Sequence, residues 1–252
     1  MFTPFAFVKS EVIIIPSRTD IPPYSPYVFY NAINTTYSAG AYANDIVNLG
    51  GVSTLNFIPS SSNVSYTSGQ HWNFTSSATP ITFKINDTSD SFLNTMGNNE
   101  HTICYHIRTG TDLTNKDIMG SGVSAGAILS GTYSSGIFRG HAWNGTNQAI
   151  TDTSTTLSTS TEYFVAQRLT ITGASTCRMD VFVSDWDGSS PTKTTGSSAD
   201  YSDSGTKANI LYMGQRPANF SNWNGRIYQI AIYDKPLTDS EVTDVNTYLY
   251  NL

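Results

Sequence analysis

The sequence predicts an all-β sandwich that is closed by one short C-terminal helix. Short runs of β-branched and aromatic residues recur along the chain, and turns containing Gly and Ser separate them. Strands at a spacing of roughly 8–12 residues are typical of an antiparallel sandwich. Aromatic residues make up 12% of the 252 residues, so the chain can build a sizeable core and is not predicted to be disordered.

The predicted strands follow one another from about residue 27 to the C-terminal segment. Ile103, Tyr105 and Ile107 alternate with Thr, Cys and His, which is the signature of a strand with one face towards the core. No segment repeats at a fixed period, and no second domain is apparent. Strands are predicted at Tyr27–Ile33, Thr54–Ile58, Ile81–Ile85, Glu100–Thr109, Ala127–Leu129, Gly136–Trp143, Glu162–Leu169, Met179–Val183 and Asn209–Met213.

The C-terminal segment carries the most complete set of local signals. Ile227–Tyr233 is an almost uninterrupted run of β-branched and aromatic residues, the pattern of a strand buried on both faces. Pro236 ends it, because proline has no N–H to donate to a neighbouring strand. Thr238 and Glu241 then form a capping box, which predicts the start of a helix. The apolar face of that helix is predicted to comprise Val242, Val245 and Leu249.

This segment resembles the closing segment of laminin-G-like, concanavalin-A-like jelly-roll domains. The matching residues are Gly225, Arg226, Ile227, Ile230, Ile232, Tyr233, Leu237, Thr238, Glu241 and Val242. The resemblance covers most of the chain and implies an antiparallel jelly-roll β-sandwich at residues 27–252. Where the family binds calcium, an Asp-Gly pair after Phe74 often takes part. Here Thr75 and Ser76 stand in its place, so no metal or cofactor is expected; the alternative is a calcium ion held by Asp185 and Asp187.

Residues 1–26 are predicted to form an extended N-terminal arm. Pro16, Pro22, Pro23 and Pro26 favour an extended chain with few internal hydrogen bonds, whereas the apolar clusters between them require burial. The arm is predicted to dock on a neighbouring subunit or a larger assembly; the alternative is that it lies on its own domain. The arm residues expected to contact a partner are Phe2, Phe5, Phe7, Val12, Ile13, Ile14 and Ile15.

The charge pattern argues against a nucleic-acid or membrane partner. The net charge is −6 at pH 7 and no Lys/Arg cluster occurs, so the electrostatic footprint of a nucleic-acid-binding protein is absent. No apolar run is long enough to span a bilayer. Lys9 and Glu11 interrupt the apolar N-terminus, which is predicted to be neither a signal peptide nor an anchor. Cys104 and Cys177 are accordingly expected to be buried free thiols.

No constellation of residues suited to catalysis is apparent in the sequence. Glycoside hydrolysis on a related sandwich needs two carboxylates across a cleft, but the glutamates are scattered and Glu241 is assigned to the helix cap. The four histidines show no metal-ligand spacing. Neither a Gly-x-Ser-x-Gly elbow nor a phosphate-binding loop is present. The chain is therefore expected to have no catalytic residues and not to be an enzyme.

Three tryptophans beside Gly- and Asn-containing loops are the candidate glycan-binding residues. Trp143, Trp186 and Trp223 stand in the sequences AWNGT, DWDGS and NWNGR. Aromatic faces next to amide groups suit a sugar, because its C–H faces stack on the ring while its hydroxyls form hydrogen bonds. Asp185 and Asp187 flank Trp186, although Asp and Gly are also what a tight turn selects. Packing of the rings in the core is the alternative interpretation.

The N-terminal arm, the absence of a secretion signal and the sandwich rich in Ser, Thr and Asn together resemble virion proteins of tailed bacteriophages. This resemblance implies a capsid decoration or cement protein, made in the host cytoplasm and located on the virion. Its partners would be neighbouring capsid or virion subunits, and it would form a homo-oligomer within the assembly. The alternative is a carbohydrate-binding adhesin, such as a tail-fibre or receptor-binding module, that contacts a host-surface glycan.

Overall fold

The computed structural model describes residues 21–32, 49–51, 58–59, 65–67, 71–74, 83–85, 92, 96–121, 127–134, 136–143, 147–200, 211–214 and 222–252. The seven predicted partner-contacting residues of the arm lie outside the described residues. So do parts of the strands predicted at residues 54–58, 81–85 and 209–213.

Within these ranges strands dominate, and they are numbered in chain order. The strands are β1 (Val28–Asn31), β2 (Ile58–Pro59), β3 (Ser65–Thr67), β4 (His71–Phe74), β5 (Phe83–Ile85), β6 (His101–Thr109), β7 (Lys116–Ser121), β8 (Ala127–Tyr133), β9 (Ile137–Trp143), β10 (Gln148–Thr156), β11 (Glu162–Gly173), β12 (Thr176–Asp185), β13 (Thr192–Asp200), β14 (Leu211–Met213) and β15 (Gly225–Tyr233). A 3-10 helix, Met96–Asn98, precedes β6, and helix α1 (Asp239–Tyr250) follows β15.

The strands form two antiparallel sheets that pack face to face. The first sheet has the order β13-β12-β11-β6-β15-β4-β3, and β1 also pairs with β15. The second sheet has the order β10-β9-β8-β7-β14-β5-β2. The predicted fold class, an antiparallel jelly-roll β-sandwich with a short C-terminal helix, is therefore confirmed.

The main core fills the space between the two sheets. On β6, Ile103, Tyr105 and Ile107 point inward and are fully buried, as their alternation predicts. The hydroxyl of Tyr105 donates to Oγ of Ser130 on β8 at 2.7 Å, so the polar atom that Tyr105 brings into the core has a partner. Full burial of one large apolar side chain contributes about 1.5–3 kcal/mol. The apolar side chains buried between the two sheets therefore hold the sheets together.

Strand β15 is buried on both faces, as its sequence predicts. Ile230 and Ile232 belong to the core between the sheets, whereas Ala231 belongs to the apolar cluster beneath α1. The predicted capping box starts the helix: the N–H of Glu241 donates to Oγ1 of Thr238 at 3.2 Å, and the N–H of Thr238 donates to Oε2 of Glu241 at 2.7 Å. The helix covers the outer face of the first sheet with the predicted residues Val242, Val245 and Leu249.

The described end of the predicted arm, residues 21–26, contacts the sandwich of its own chain. The hydroxyl of Tyr233 donates to the carbonyl of Pro23 at 3.1 Å, and the N–H of Gly51 donates to the carbonyl of Pro26 at 3.1 Å. The hydroxyl of Tyr24 donates to the carboxylate of Asp244 on α1. This part of the arm lies on its own domain, whereas the docking prediction concerns residues outside the described ranges.

Both cysteines are free and buried, as expected. Cys104 lies beneath α1, and Cys177 lies in a small apolar cluster with Leu169 and Met179. Burial raises the pKa of the Cys177 thiol to about 11, which keeps it protonated at neutral pH. In the described part of the chain, no helix has the length and apolar character needed to cross a membrane.

A buried ion cluster centred on Asp180 ties the first sheet to the start of α1. Arg168 donates from Nη2 to Oδ2 of the fully buried Asp180 at 2.6 Å. Arg178 donates from Nε to Oδ1 at 3.0 Å, and Nζ of Lys193 lies 3.6 Å from Oδ2. Arg168 also donates from Nη1 to the carbonyl of Leu237 at 2.5 Å. The more exposed Asp239 at the start of α1 lies 2.9 Å from Nη1 of Arg168 and 3.2 Å from Nζ of Lys193, so Asp180 is the buried one of two carboxylates that compensate cations from three strands.

Removing that carboxylate should destabilise the fold strongly. We expect Asp180→Ala to lower the free energy of unfolding by about 3–5 kcal/mol, because it leaves Arg168 as a buried charge without its main partner. Urea denaturation measures the loss. Asp112→Ala is the matched control: Asp112 pairs with Lys116 at 2.9 Å but its side chain is 50% exposed, so its loss should cost below about 1 kcal/mol. Equal effects of the two substitutions would contradict this account.

Candidate functional site

A groove of about 360 Å³ lies on the outer face of the second sheet. Strand alternation produces it: on β9, Phe138 and Ala142 are buried against the core, whereas Arg139, His141 and Trp143 are half-buried and point the other way. We term it the β9 groove. Its lining residues are Asn115, Asp117, Leu129, Gly131, Thr132, Tyr133, Arg139, His141, Gln148 and Ile150.

Strand register places Trp143 at one end of the β9 groove. Trp143 pairs with Gln148 on β10 and with Ala127 on β8, and Gln148 lines the groove. The Cβ atoms of directly paired antiparallel residues lie about 4.5–5.5 Å apart, so Trp143 and Gln148 leave the sheet as neighbours on its outer face. An aromatic ring next to an amide is the combination that a sugar-binding surface uses.

Arg139 is fixed towards the other end of the groove. Its Nε donates to Oδ1 of Asp152 at 2.6 Å and its Nη2 donates to Oδ2 at 2.8 Å, a bidentate pair. Its guanidinium carbon lies 3.7 Å from the centroid of the Tyr133 ring, a cation–π contact. The hydrogen bonds with Asp152 raise the pKa of Arg139 above its usual value, so this guanidinium stays charged.

Two large apolar side chains of the groove are open to solvent. Tyr133 is 42% exposed and Ile150 is 38% exposed. Ile150 pairs with His141 in the register of β9 and β10, so an apolar side chain lies directly beside a polar one. Apolar contact area together with a few fixed polar groups is typical of a site that binds a small molecule or an oligosaccharide.

A second cluster, which contains Trp186, lies on the outer face of the first sheet. The rings of Trp186 and His106 stack with 3.4 Å between centroids and 8° between planes. The ring of Tyr228 stacks on His106 at 4.1 Å and 10°, so His106 lies between the two aromatic rings. Tyr250 meets Trp186 edge to face at 5.6 Å. We term these four residues the aromatic stack.

Glu162 borders the aromatic stack and sets its charge state. The hydroxyl of Tyr228 donates to Oε1 of Glu162 at 2.7 Å, and Nε2 of His106 lies 3.6 Å from Oε2. The contact with His106, followed by the hydrogen bond from Tyr228, lowers the pKa of Glu162 to about 2. Burial lowers the pKa of His106 despite the neighbouring carboxylate. At neutral pH Glu162 is therefore ionised and His106 is neutral.

Residues 186–191 connect β12 to β13 as a six-residue loop rather than as the tight turn that was one of the two predicted interpretations. The carboxylate of Asp187 accepts the N–H of Ser189 at 2.8 Å, and Gly188 has a φ of +78°, a conformation that favours glycine. The hydrogen bonds with Ser189 lower the pKa of Asp187. Asp185 is exposed at the end of β12. Across the described residues, His, Cys, Asp and Glu side chains do not gather in groups of three or more that could hold a metal ion.

The three candidate tryptophans occupy different environments. Trp143 borders the β9 groove, and Trp186 has one ring face against His106. Trp223 is fully buried in the core between the sheets, so its ring has no face open to a ligand and the core-packing interpretation applies to it. The structure therefore does not bring the three rings to one surface.

Sequence reasoning missed most of the β9 groove. Arg139, His141 and Trp143 follow one another at every second position of a strand that was predicted at residues 136–143, so their common face could have been read from the sequence. Their neighbours Asp152 and Tyr133 could not, because these belong to other strands and only the register brings them together.

No family model and no curated protein matches the chain, but solved structures resemble its fold. The binding domain of botulinum neurotoxin serotype D has 15% sequence identity and a TM-score of 0.55, over 90% of this chain and 51% of that one. The Trypanosoma rangeli sialidase in complex with sialic acid has 11% identity and a TM-score of 0.58, over 90% of this chain and 33% of that one.

A third similar structure is domain 4 of AbnA, an extracellular arabinanase of Geobacillus stearothermophilus, in complex with arabinotriose. It has 15% identity and a TM-score of 0.50, over 88% of this chain and 98% of that one. The chain thus spans about half of the neurotoxin chain and a third of the sialidase chain. At these identities the likeness shows a lectin-like jelly-roll fold alone. None of the three is a virion protein, so the virion role stays a prediction.

The buried histidines should make the fold sensitive to acid. Burial lowers the pKa of His106, and it lowers that of His101 to about 4. Below about pH 6.5 these two histidines therefore bind protons in the unfolded chain but remain neutral in the folded chain. We expect the free energy of unfolding to fall between about pH 6.5 and pH 4, and His106→Gln to reduce that slope. Urea titrations across this range measure it; an unchanged slope in the variant would contradict the assignment for His106.

Proposed function

We propose that this chain is a non-catalytic carbohydrate-binding module of the adhesin type, and that the β9 groove with Trp143 is its glycan site. The observation that carries the proposal is the outward row of Arg139, His141 and Trp143 on one strand. This row combines an aromatic ring with fixed polar groups on an open sheet face. A host-surface glycan, presented on a cell or particle, is the partner expected for such a module.

The chemistry of the groove matches that of a sugar ring. A sugar presents an apolar C–H face and a rim of hydroxyl groups. Trp143, which is half-buried on the outward face of β9, and the face of the Tyr133 ring opposite Arg139 can stack against the C–H face. The Gln148 amide can donate hydrogen bonds to the hydroxyl groups and can also accept them. Arg139, which Asp152 holds in place, adds a donor whose position is already fixed, and this limits the entropy lost on binding.

The aromatic stack supports a glycan site less well than the β9 groove does. Trp186 has one face covered by His106 and a further contact with Tyr250, so much of its ring area is already used within the protein. Asp187 is committed to the loop between β12 and β13 through Ser189. We therefore assign Trp186 a packing role and place the glycan on the opposite sheet.

The likenesses to solved structures agree with a binding role on this fold. Two of them are complexes with a sugar, sialic acid for the sialidase and arabinotriose for the arabinanase domain, and a third is a toxin's binding domain. The arabinanase domain is the most comparable in extent, since 98% of it is covered. The capsid-cement role depends on the seven predicted partner-contacting residues of the arm, which lie outside the described residues, and no contact within the described residues favours it.

Trp143→Ala tests the proposed site directly. The full chain is first applied to a glycan array, and its ligands are then titrated by calorimetry against wild type and variant. We expect at least about a ten-fold loss of affinity, or about 1.4 kcal/mol, because the stacking face is removed.

Trp186→Ala is the matched control on the opposite sheet, and it should leave glycan affinity unchanged. Thermal unfolding of both variants shows that each is folded. Loss of binding in Trp186→Ala with retention in Trp143→Ala would move the site to the aromatic stack. Binding of no glycan by the wild-type chain would overturn the proposed function.

A further inference from the structure

From the charges and the shape of the β9 groove, we infer that it selects an uncharged oligosaccharide chain lying along strand β9 and rejects acidic sugars. This inference rests on the proposed function and adds the class of ligand. Three features of the described residues lead to it: the commitment of Arg139, the balance of charge around the groove and the spacing of its outward side chains.

Arg139 is the residue of the groove with which the carboxylate of an acidic sugar would pair, and it is already paired with Asp152. A carboxylate is bound most strongly when two guanidinium N–H groups donate to it in parallel. Nε and Nη2 of Arg139 donate in that way to Asp152, at 2.6 and 2.8 Å, and the guanidinium packs on Tyr133. The remaining N–H groups of Arg139 can still donate to a ligand, but Asp152 already neutralises the guanidinium, so a ligand carboxylate would gain little from pairing with it.

Arg139 is the only Lys or Arg among the described residues that line the groove. Asp152 alone neutralises Arg139, and Asp117 adds a second carboxyl group to the lining. The neighbouring cation, Lys116, lies 2.9 Å from a carboxylate oxygen of Asp112. The chain as a whole carries a net charge of −6, so its long-range field also repels anions. An acidic sugar would lose its hydration without gaining a compensating ion pair.

The spacing of the outward side chains suits a chain of sugars rather than one terminal sugar. Arg139 and Trp143 are four residues apart on β9, which corresponds to about 13 Å along the strand. His141 lies between them, and Ile150 pairs with His141. Polar and apolar side chains therefore line a path longer than a single ring. Such a path binds well only when consecutive rings of one chain occupy it.

The test uses the full wild-type chain and matched pairs of oligosaccharides that differ only in a carboxylate and its methyl ester, beside neutral probes such as arabinotriose and longer neutral chains. We expect the neutral member of each pair to bind at least about ten-fold more tightly. Affinity should rise with chain length up to about three rings. It should also change little with salt, since no ion pair with the ligand is formed.

Asp152→Asn should relax this selectivity. It releases Arg139 and removes one negative charge, so the affinity for the acidic members should rise about ten-fold. Asp234→Asn is the matched control, because it makes the same charge change at an exposed residue directly after β15, on the first sheet, and should leave selectivity unchanged. Thermal unfolding verifies that both variants fold; if Asp152→Asn does not, the wild-type pairs and the salt series decide.

The outcomes separate this inference from the function on which it rests. Tighter binding of acidic than of neutral members, with dependence on Trp143, would overturn the inference and leave the glycan function standing. Equal binding of single sugars and chains would overturn the chain-binding part. Binding of neither member, at any salt concentration, would overturn the proposed function and the inference with it.

Discussion

The burial of strand β15 on both faces is the constraint on which the rest of the structure depends. Such a strand is stable only when each face is covered, because its apolar side chains would otherwise remain in water. The second sheet covers the inner face, and α1 covers the outer face with Val242, Val245 and Leu249. The capping box and the hydrogen bond from Arg168 to the carbonyl of Leu237 fix where the helix begins. The first sheet therefore serves mainly to stabilise the fold, since both of its faces around β15 are covered.

The parts of the fold that the sequence predicted are those specified by local signals. Helix α1 and strand β6 have an N-cap or a clear alternation within a few residues, and both are present. Strands β10 and β13 were missed, because their Thr- and Ser-rich sequences read as turns. These two strands lie at the ends of their sheets, and the N–H of Ser154 on one donates to Oγ1 of Thr194 on the other at 3.2 Å. A contact between two segments so far apart in the chain leaves no hydrophobic periodicity in the sequence of either segment.

The same limit explains why the candidate tryptophans could not be told apart. Trp143 and Trp223 both precede Asn-Gly, yet Trp143 borders an open groove and Trp223 is fully buried. Trp143 shares the outward face of β9 with Arg139 and His141, a face fixed by pairing with β8 and β10. Trp223 lies two residues before the start of β15 and is buried in the same core as Ile227 and Ile230 of that strand. The local sequence shows that an aromatic ring is present. The pairing of strands distant in the chain determines whether that ring lies in the core or on the outer face of the sheet.

The Arg139–Asp152 pair has well-formed geometry but contributes little to the stability of the fold. Its side chains are 22% and 38% exposed, and an ion pair in that setting contributes at most about 1 kcal/mol. The buried cluster around Asp180, by contrast, joins three strands and a helix. A bidentate pair that adds little to stability still fixes a guanidinium against Tyr133 and cancels its charge. Both effects suit the ligand with hydroxyl groups that we propose for the groove, so the pair fits the proposed binding surface better than it fits a role in the scaffold.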